Sequence, residues 1–578
     1  MSEKRTEQEI LLDIQMKVAP KARVFDIALI AMFMLITFGL AAAMFILPDN
    51  EFSEQENRML KQFPAISNES GRLGRLLDGS FTRDIAEYYA DQLPLRDIFT
   101  GFKGIAEIGM LKRENNGVIL ARNGFLVARD APPDYAQLEA NINYLGIFAE
   151  AVDVPVTLAM APRTVDVLSK RPGYLPAAYP TEPVRALWRF YQSRVDLAEY
   201  VINVNLFDKL DEQIRYSDIY FRTDHHWNTM GAYYAYRKIA QSLGIEPREI
   251  GSFEIETASD RFFGTTWSSA GMHWVRPDTL EFFRFEGDED FVTTIIDTGV
   301  SFNGFYDRSF LEVRDKYSAF IGGVNTRTEV TRPGENRPRL LLIKDSFAHA
   351  VVPFFAYHYD LIILDLRGFS VTDSVARIIG EENIGQVLFL YNIANFMESP
   401  DLAKLMIGLD FGDEPARATE REFEEGVTSR EIIEKILEEF GEENMPAVEF
   451  LFSGADPDSY NFIPERGLGI LMTGAFALPP EFEYIYDYAL LISEGYHAFE
   501  ISILRASQHH LDNFEAVREL LVQRRRVIDG MNIEFYLAEE AWIVAASRII
   551  TIDNYAILLM TTDNDKAENI IRVTLGGE

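Results

Sequence analysis

From Ile27 to Pro48 the chain reads IALIAMFMLITFGLAAAMFILP, without one charged residue. A helix rises ~1.5 Å per residue, so ~20 such residues cross a hydrocarbon core ~30 Å thick. No charged residue interrupts the run, which argues against the buried helix of a soluble core. A cleaved secretory signal has an apolar region of only about 7–15 residues. Ala41, Ala42 and Ala43 offer small residues for cleavage, but Met44 to Leu47 carry the apolar run past them. The segment therefore reads as a retained anchor over residues 25–48.

The flanks set an expected orientation. Lys17, Lys21 and Arg23 precede the segment, diluted by Asp13 and Asp26, while Asp49, Glu51, Glu54 and Glu56 follow it. Basic flanks stay on the cytoplasmic side. Residues 1–24 are thus expected inside, and the rest of the 578-residue chain outside. That remainder is too long for one hydrophobic core. It carries the whole formal charge of −35, which argues against nucleic acid as the main partner because phosphate binding needs a basic face. There is no cysteine, so disulfides, thiolate metal sites, a cysteine nucleophile and a lipidated cysteine are excluded.

Residues 49–110 read as a polar neck with short helices. Asp78-Gly79-Ser80 offers a turn and cap ahead of Phe81, Ile85 and Tyr89. Residues 111–409 alternate apolar strands with helical patterns. The strand candidates are 154–160 (VPVTLAM), 200–206 (YVINVNL), 340–343, 361–366 (LIILDL) and 387–390. Such alternation implies βαβ units, hence an α/β fold with a parallel sheet and functional groups at the strand C-termini. Residues 410–428 read as an acidic linker. Residues 429–578 read as a small α+β domain, with strands near 489–493, 498–505 and 555–560 and a helix over 513–526. There are no internal repeats.

Two stretches carry chemistry. Thr223-Asp224-His225-His226-Trp227-Asn228 precedes a helix bearing Tyr233, Tyr234 and Tyr236. A carboxylate at Asp224 can accept one imidazole N–H of His226, fixing the tautomer and freeing the other nitrogen as a base. Lone Asp-x-His triplets are common, so a structural role stays open. In Leu340-Leu341-Leu342-Ile343-Lys344-Asp345-Ser346 an apolar strand runs into a helical pattern through Tyr357. A serine there is exposed at the top of the sheet, with its own N–H positioned to donate to an oxyanion. The alternative is that Ser346 merely caps the helix. Together the two stretches supply an orienter, a base and a nucleophile, which an otherwise unreactive serine needs to attack an acyl carbonyl.

These residues resemble the signature of the bacterial DHHW family, which is related to the SGNH-hydrolase-like O-acetyltransferases of alginate biosynthesis. The similarity takes in Phe52-Ser53-Glu54-Gln55-Glu56-Asn57-Arg58, Asp91-Gln92-Leu93-Pro94-Leu95-Arg96-Asp97, Lys344-Asp345-Ser346-Phe347 and Asp365-Leu366-Arg367, in order, over roughly residues 50–400. It implies an SGNH-hydrolase-like fold, with Asp224 orienting, His226 as base and Ser346 as nucleophile. It further implies Arg367 near the cleft, holding an anionic sugar or the oxyanion, or else a surface salt bridge. Asn392, ending the strand FLYN, could donate to the oxyanion as an asparagine does in SGNH enzymes, although the glycine-containing block usual there is missing. His225 has no implied role beyond packing or a supporting hydrogen bond. Glu500-Ile501-Ser502-Ile503-Leu504-Arg505-Ala506, 516–524 and 555–559 resemble a bacterial extracytoplasmic domain of unknown function.

The expected function is transfer or removal of O-acetyl groups on a cell-surface polysaccharide, without a cofactor or metal. In the transferase version a membrane-bound acyltransferase supplies the acetyl group. A non-catalytic glycan-binding or scaffold protein on the same fold is the alternative. Trp267, His273 and Trp274 could line a sugar groove or pack in the core. A metal site at Asp224, His225 and His226 is disfavoured because adjacent histidines converge poorly on one ion, and His509-His510 lacks carboxylates at ligand spacing.

Overall fold

The computed structural model describes the chain except residues 1–6, 54, 57, 64–79, 130, 372, 410–425, 442–444, 447, 453–464, 476–478, 494–496, 531–539 and 577–578. Most of the acidic linker and the Asp78-Gly79 turn therefore lie outside the described residues. The chain divides into two units, Met1–Lys103 and Gly104–Glu578.

In the first unit one helix runs over Glu7–Ile46. Its Val24–Ile46 portion has a mean hydropathy of 2.5, and none of its most apolar stretch is buried inside the protein. By length and composition this helix can cross a membrane, close to the expected 25–48. Beyond it, Phe52–Ser53 pairs antiparallel with Arg58–Met59, and a helix over Ser80–Asp91 carries Phe81, Ile85 and Tyr89. The two neck motifs hold each other. Arg58 makes a two-pronged bond to Asp91 at 2.9 and 2.6 Å, and Arg96 bonds Glu56 at 2.9 Å. Such a fork matches carboxylate geometry as a lysine would not.

The second unit is built on an eight-stranded sheet. Its order is Ser301–Asn303, Val292–Ile295, Arg327–Thr331, Asp360–Leu364, Arg339–Lys344, Gln386–Asn392, Val156–Ala161, Val201–Asn205. The last five run parallel, matching the five expected strands within a few residues. Sequences such as Leu340-Leu341-Leu342-Ile343 are apolar on both faces because helices cover both sides of a parallel sheet. The fold class is the expected α/β arrangement, with one addition. Three antiparallel strands extend one edge through Arg327–Thr331. Their burial alternates, as in Thr328 and Val330 inward with Arg327 and Glu329 outward, so they lack the continuous apolar run that marks a central strand.

The C-terminal part carries a second, antiparallel sheet ordered Val448–Phe452, Ile485–Ser493, Glu500–Ala506, Tyr555–Met560, Arg548–Ile552. Alternate residues feed two cores. Leu490, Leu504 and Leu558 pack with Leu520 and Leu521 of the helix Phe514–Gly530. Leu491, Ile503 and Ile557 pack with Ile432 and Ile436 of Ser429–Glu439 and Ile570 of Asn564–Thr574. A sheet apolar on both faces needs a helix on each.

Candidate active site

The strand Arg339–Lys344 ends beneath a sharp turn into a 3₁₀ helix, Ser346–Val351. Asp345, not Ser346, caps that helix, accepting from Phe347 N at 2.9 Å. The cap leaves the serine hydroxyl free of the helix, and its N–H opens the first turn, where amides have no intrahelical partner. Asp345 Oδ2 also accepts from Asn392 N and Asn395 Nδ2, both at 2.7 Å. One carboxylate thus joins the C-terminal ends of two neighbouring parallel strands.

The histidine motif arrives from a loop. Thr223 Oγ1 donates to Asp278 Oδ2 at 2.6 Å, and Asn228 caps the helix Thr229–Ser242 by accepting from Gly231 N at 2.9 Å. Trp227 donates Nε1–H to Phe347 O at 2.9 Å. Between these fixed points His226 sits with Nδ1 2.5 Å from Asp224 Oδ1 and Nε2 2.7 Å from Ser346 Oγ. Asp224, His226 and Ser346 are all buried, so the serine ends the strand as expected but is not exposed at the top of the sheet. The three residues expected to act together are thus in hydrogen-bonded series, although 120 positions separate His226 from Ser346.

Burial on its own would raise the Asp224 carboxyl. The charges of His226 and His225, with hydrogen bonds from His226, outweigh it and hold the carboxyl below the usual carboxylate range. Thr265 adds donations to Asp224 Oδ2 from N at 2.9 Å and Oγ1 at 3.2 Å. Gly264 lies so close that a Cβ there would meet Asp224 Oδ2 at 2.2 Å. Neither residue stands out in the sequence. The His225 ring packs against that of His226, with centroids 3.9 Å apart and planes tilted by 36°, its Nδ1 2.7 Å from Thr265 Oγ1; half-exposed, it lines a cavity of about 140 Å³ together with Arg163, Phe347, Asn392 and Asn395.

Two expected positions differ in what they do. Asn392 reaches the cavity, but its Nδ2 points to the carbonyls of Pro162 (3.1 Å) and Ala161 (3.4 Å), and its Oδ1 accepts from Ala394 N. It caps the helix Ile393–Glu398 and ties two strand ends. Arg367 forks onto Asp365 at 2.8 and 2.6 Å. It lines a different cavity, of about 380 Å³, shared with residues of the C-terminal sheet such as Ile492 and Glu500. Asp365 is itself buried and bonded to Lys344 Nζ at 2.9 Å, so the pair is interior, not the surface bridge that was the alternative.

Asp224, His225 and His226 each place one ligand atom within 4.8 Å of the others. A cation there would have to displace one of the two hydrogen bonds of His226, which engage both of its ring nitrogens. Trp267 is buried and Trp274 is 41 % exposed, so of that pair only Trp274 offers a face to solvent. His509 and His510 are exposed.

Residues 194–364 match the family model described as DHHW protein. Among solved structures, a DHHW family protein from Eubacterium siraeum aligns at 23 % identity and TM-score 0.43, over 51 % of this chain and 97 % of that one. Bacillus cereus PatB1 with a sulfonyl adduct aligns at 22 % and 0.39, over 48 % and 97 %. The O-acetyltransferase domain of Pseudomonas putida AlgJ aligns at 16 % and 0.33, over 48 % and 92 %. No curated protein matches the chain.

Proposed function

We propose that the DHHW domain of this chain is a serine acyl-transfer enzyme, held at the outer face of a membrane, that moves or removes O-acetyl groups on a cell-surface polysaccharide. The observation that carries the reading is His226 between Asp224 and Ser346, at 2.5 and 2.7 Å. As Ser346 Oγ attacks the acetyl carbonyl, its proton passes to His226 Nε2. Asp224 stabilises the imidazolium, and the oxyanion forms near the Ser346 N–H. Collapse expels the donor oxygen, which takes the proton from His226, and leaves acetyl-Ser346. A sugar hydroxyl or water then gives its proton to His226, attacks the ester and restores the serine.

Transfer and hydrolysis share every step to the acetyl-enzyme. The transfer version requires an acetyl donor on the outer side, for which a membrane-bound acyltransferase is the natural partner. The orientation rests on the basic residues before the apolar helix and the acidic ones after it. Retention of that helix rests on its apolar length beyond Ala43.

The test is intact-mass analysis of the purified protein after incubation with a chromogenic acetyl ester. An acetyl adduct mapped to Ser346, with turnover lost in Ser346→Ala and His226→Ala, supports the reading. Turnover that survives Ser346→Ala but is abolished by a chelator would move the chemistry to a metal on Asp224, His225 and His226. Glycan binding with no turnover and no adduct in any form would leave a binding module.

A further inference from the structure

Two hydrogen bonds fix an imidazole only within its own plane. The ring still tilts about the line joining Nδ1 and Nε2 unless something presses on its faces. In catalysis the constraint loosens further, because Ser346 Oγ leaves His226 to form the acyl bond. On one face of His226 lies Tyr317, with ring centroids 4.0 Å apart and planes within 12°. The same residue donates its hydroxyl to Ser346 O at 3.1 Å. It therefore touches the ring of the base and the backbone of the nucleophile at once.

Tyr317 is itself held firmly. It is 5 % exposed, on a short 3₁₀ helix, Lys316–Ala319. The helix and the segment after it are pinned by Asp307 N to Ala319 O at 2.8 Å and Ile321 N to Phe305 O at 2.9 Å. Behind it lies His349, nearly parallel at 18° with centroids 6.0 Å apart. His349 in turn is bonded through Nε2 to Lys344 Nζ at 3.0 Å. Burial and the neighbouring Lys344 push the His349 imidazole well below its ordinary value, so it packs as a neutral ring. Burial, with the nearby carboxylates Asp224 and Asp345, raises the Tyr317 phenol, which stays protonated and able to donate. The face of a phenol ring also attracts a cation within ~6 Å, which favours the imidazolium as it forms.

We infer that Tyr317 is a positioning residue of this site, its ring holding the plane of His226 while its hydroxyl fixes the backbone of Ser346. The inference rests on the acyl-transfer reading, and the experiment separates the two. In the full chain, kcat and KM for a chromogenic acetyl ester are measured for Tyr317→Phe and Tyr317→Leu, beside intact-mass detection of acetyl-Ser346. Phenylalanine keeps the stacked ring and loses one neutral hydrogen bond, so kcat should fall only about three- to tenfold. Leucine removes the flat face, and a misplacement on the order of 1 Å at the base should cost about 10²-fold in kcat with KM changed less than about threefold. Recovery from leucine to phenylalanine is what distinguishes a stacking role from general support of the core. Should Tyr317→Leu prove unstable, Tyr317→Met gives the same comparison. A leucine or methionine variant with wild-type kcat, while acetyl-Ser346 still forms, overturns the positioning role alone. Wild-type protein that forms no acetyl-Ser346 overturns the acyl-transfer reading and this role with it.

Discussion

Trp227 gives its indole N–H to the carbonyl oxygen of Phe347, 2.9 Å away, so the residue after the base is tied to the residue after the nucleophile. This is a direct clamp between a loop and a 3₁₀ helix that the chain leaves 120 positions apart. Trp227→Phe keeps most of the ring volume and removes the donor, leaving a buried carbonyl unpaired. We expect a loss of about 1–3 kcal/mol in urea unfolding, and a larger fractional loss of kcat than of KM.

Gly264→Ala should damage the site by pressing on Asp224, the carboxylate bonded to His226. Its Cβ would lie 2.2 Å from Asp224 Oδ2, so the carboxylate or the loop must move. Overpacking of this kind costs about 1–3 kcal/mol. Acetylation of Ser346, followed by mass spectrometry, should slow by more than the stability change alone accounts for.

Asp224→Asn should leave the fold intact and lower kcat on the order of 10³–10⁴-fold by favouring the wrong tautomer of His226. The pH dependence has a defined sign. The folded Asp224 carboxyl titrates below its unfolded value near ~3.9, so the unfolded chain binds the proton first as pH falls. Its contribution is therefore complete above about pH 4–5 and is lost as pH drops through the folded value. The stability gap between wild type and Asp224→Asn should be flat from pH 8 to about 5 and shrink below about 4. A gap that instead narrowed near neutrality would contradict this.

Beneath the serine, Asp365 accepts from both Lys344 and Arg367. Lys344 and Asp365 are almost wholly buried. Asp365→Asn strands a buried ammonium and should cost about 3–5 kcal/mol. Lys344→Met leaves Asp365 still paired with Arg367 and should cost less. Chemical denaturation of the two variants checks that order.

The apolar N-terminal helix predicts that the protein stays with membranes after an alkaline wash. Peptides preceding residue 27 should be recovered from that membrane fraction by mass spectrometry. Their absence, with a new N-terminus after Ala43, would indicate cleavage.

Much of this was legible along the chain because the relevant physics is local. The length and charge of 27–48 are one-dimensional properties, and the helix Glu7–Ile46 follows from them. Runs such as Leu361-Ile362-Ile363-Leu364 announce a sheet covered on both faces. The three antiparallel strands were not expected, since half-exposed residues such as Arg327 and Glu329 break the apolar run. Asp224 and His226 lie two positions apart, so their bond is nearly a property of one loop. Ser346 was legible because a strand running into a helical pattern ends there.

What remained hidden depends on which distant groups compete for a side chain. Asn392 and Arg367 have the right chemistry for an oxyanion or an anionic sugar. Folding commits the first to the carbonyls of Ala161 and Pro162 and the second to Asp365. Tyr317, Thr265 and Gly264 look unremarkable in the sequence, yet chain packing brings them against His226 and Asp224. Residue types and their short-range spacing fixed which groups were able to react. A hydrogen bond reaches only about 3 Å, so which of them meet was left to the burial of the sheet, helices and loops around Ser346.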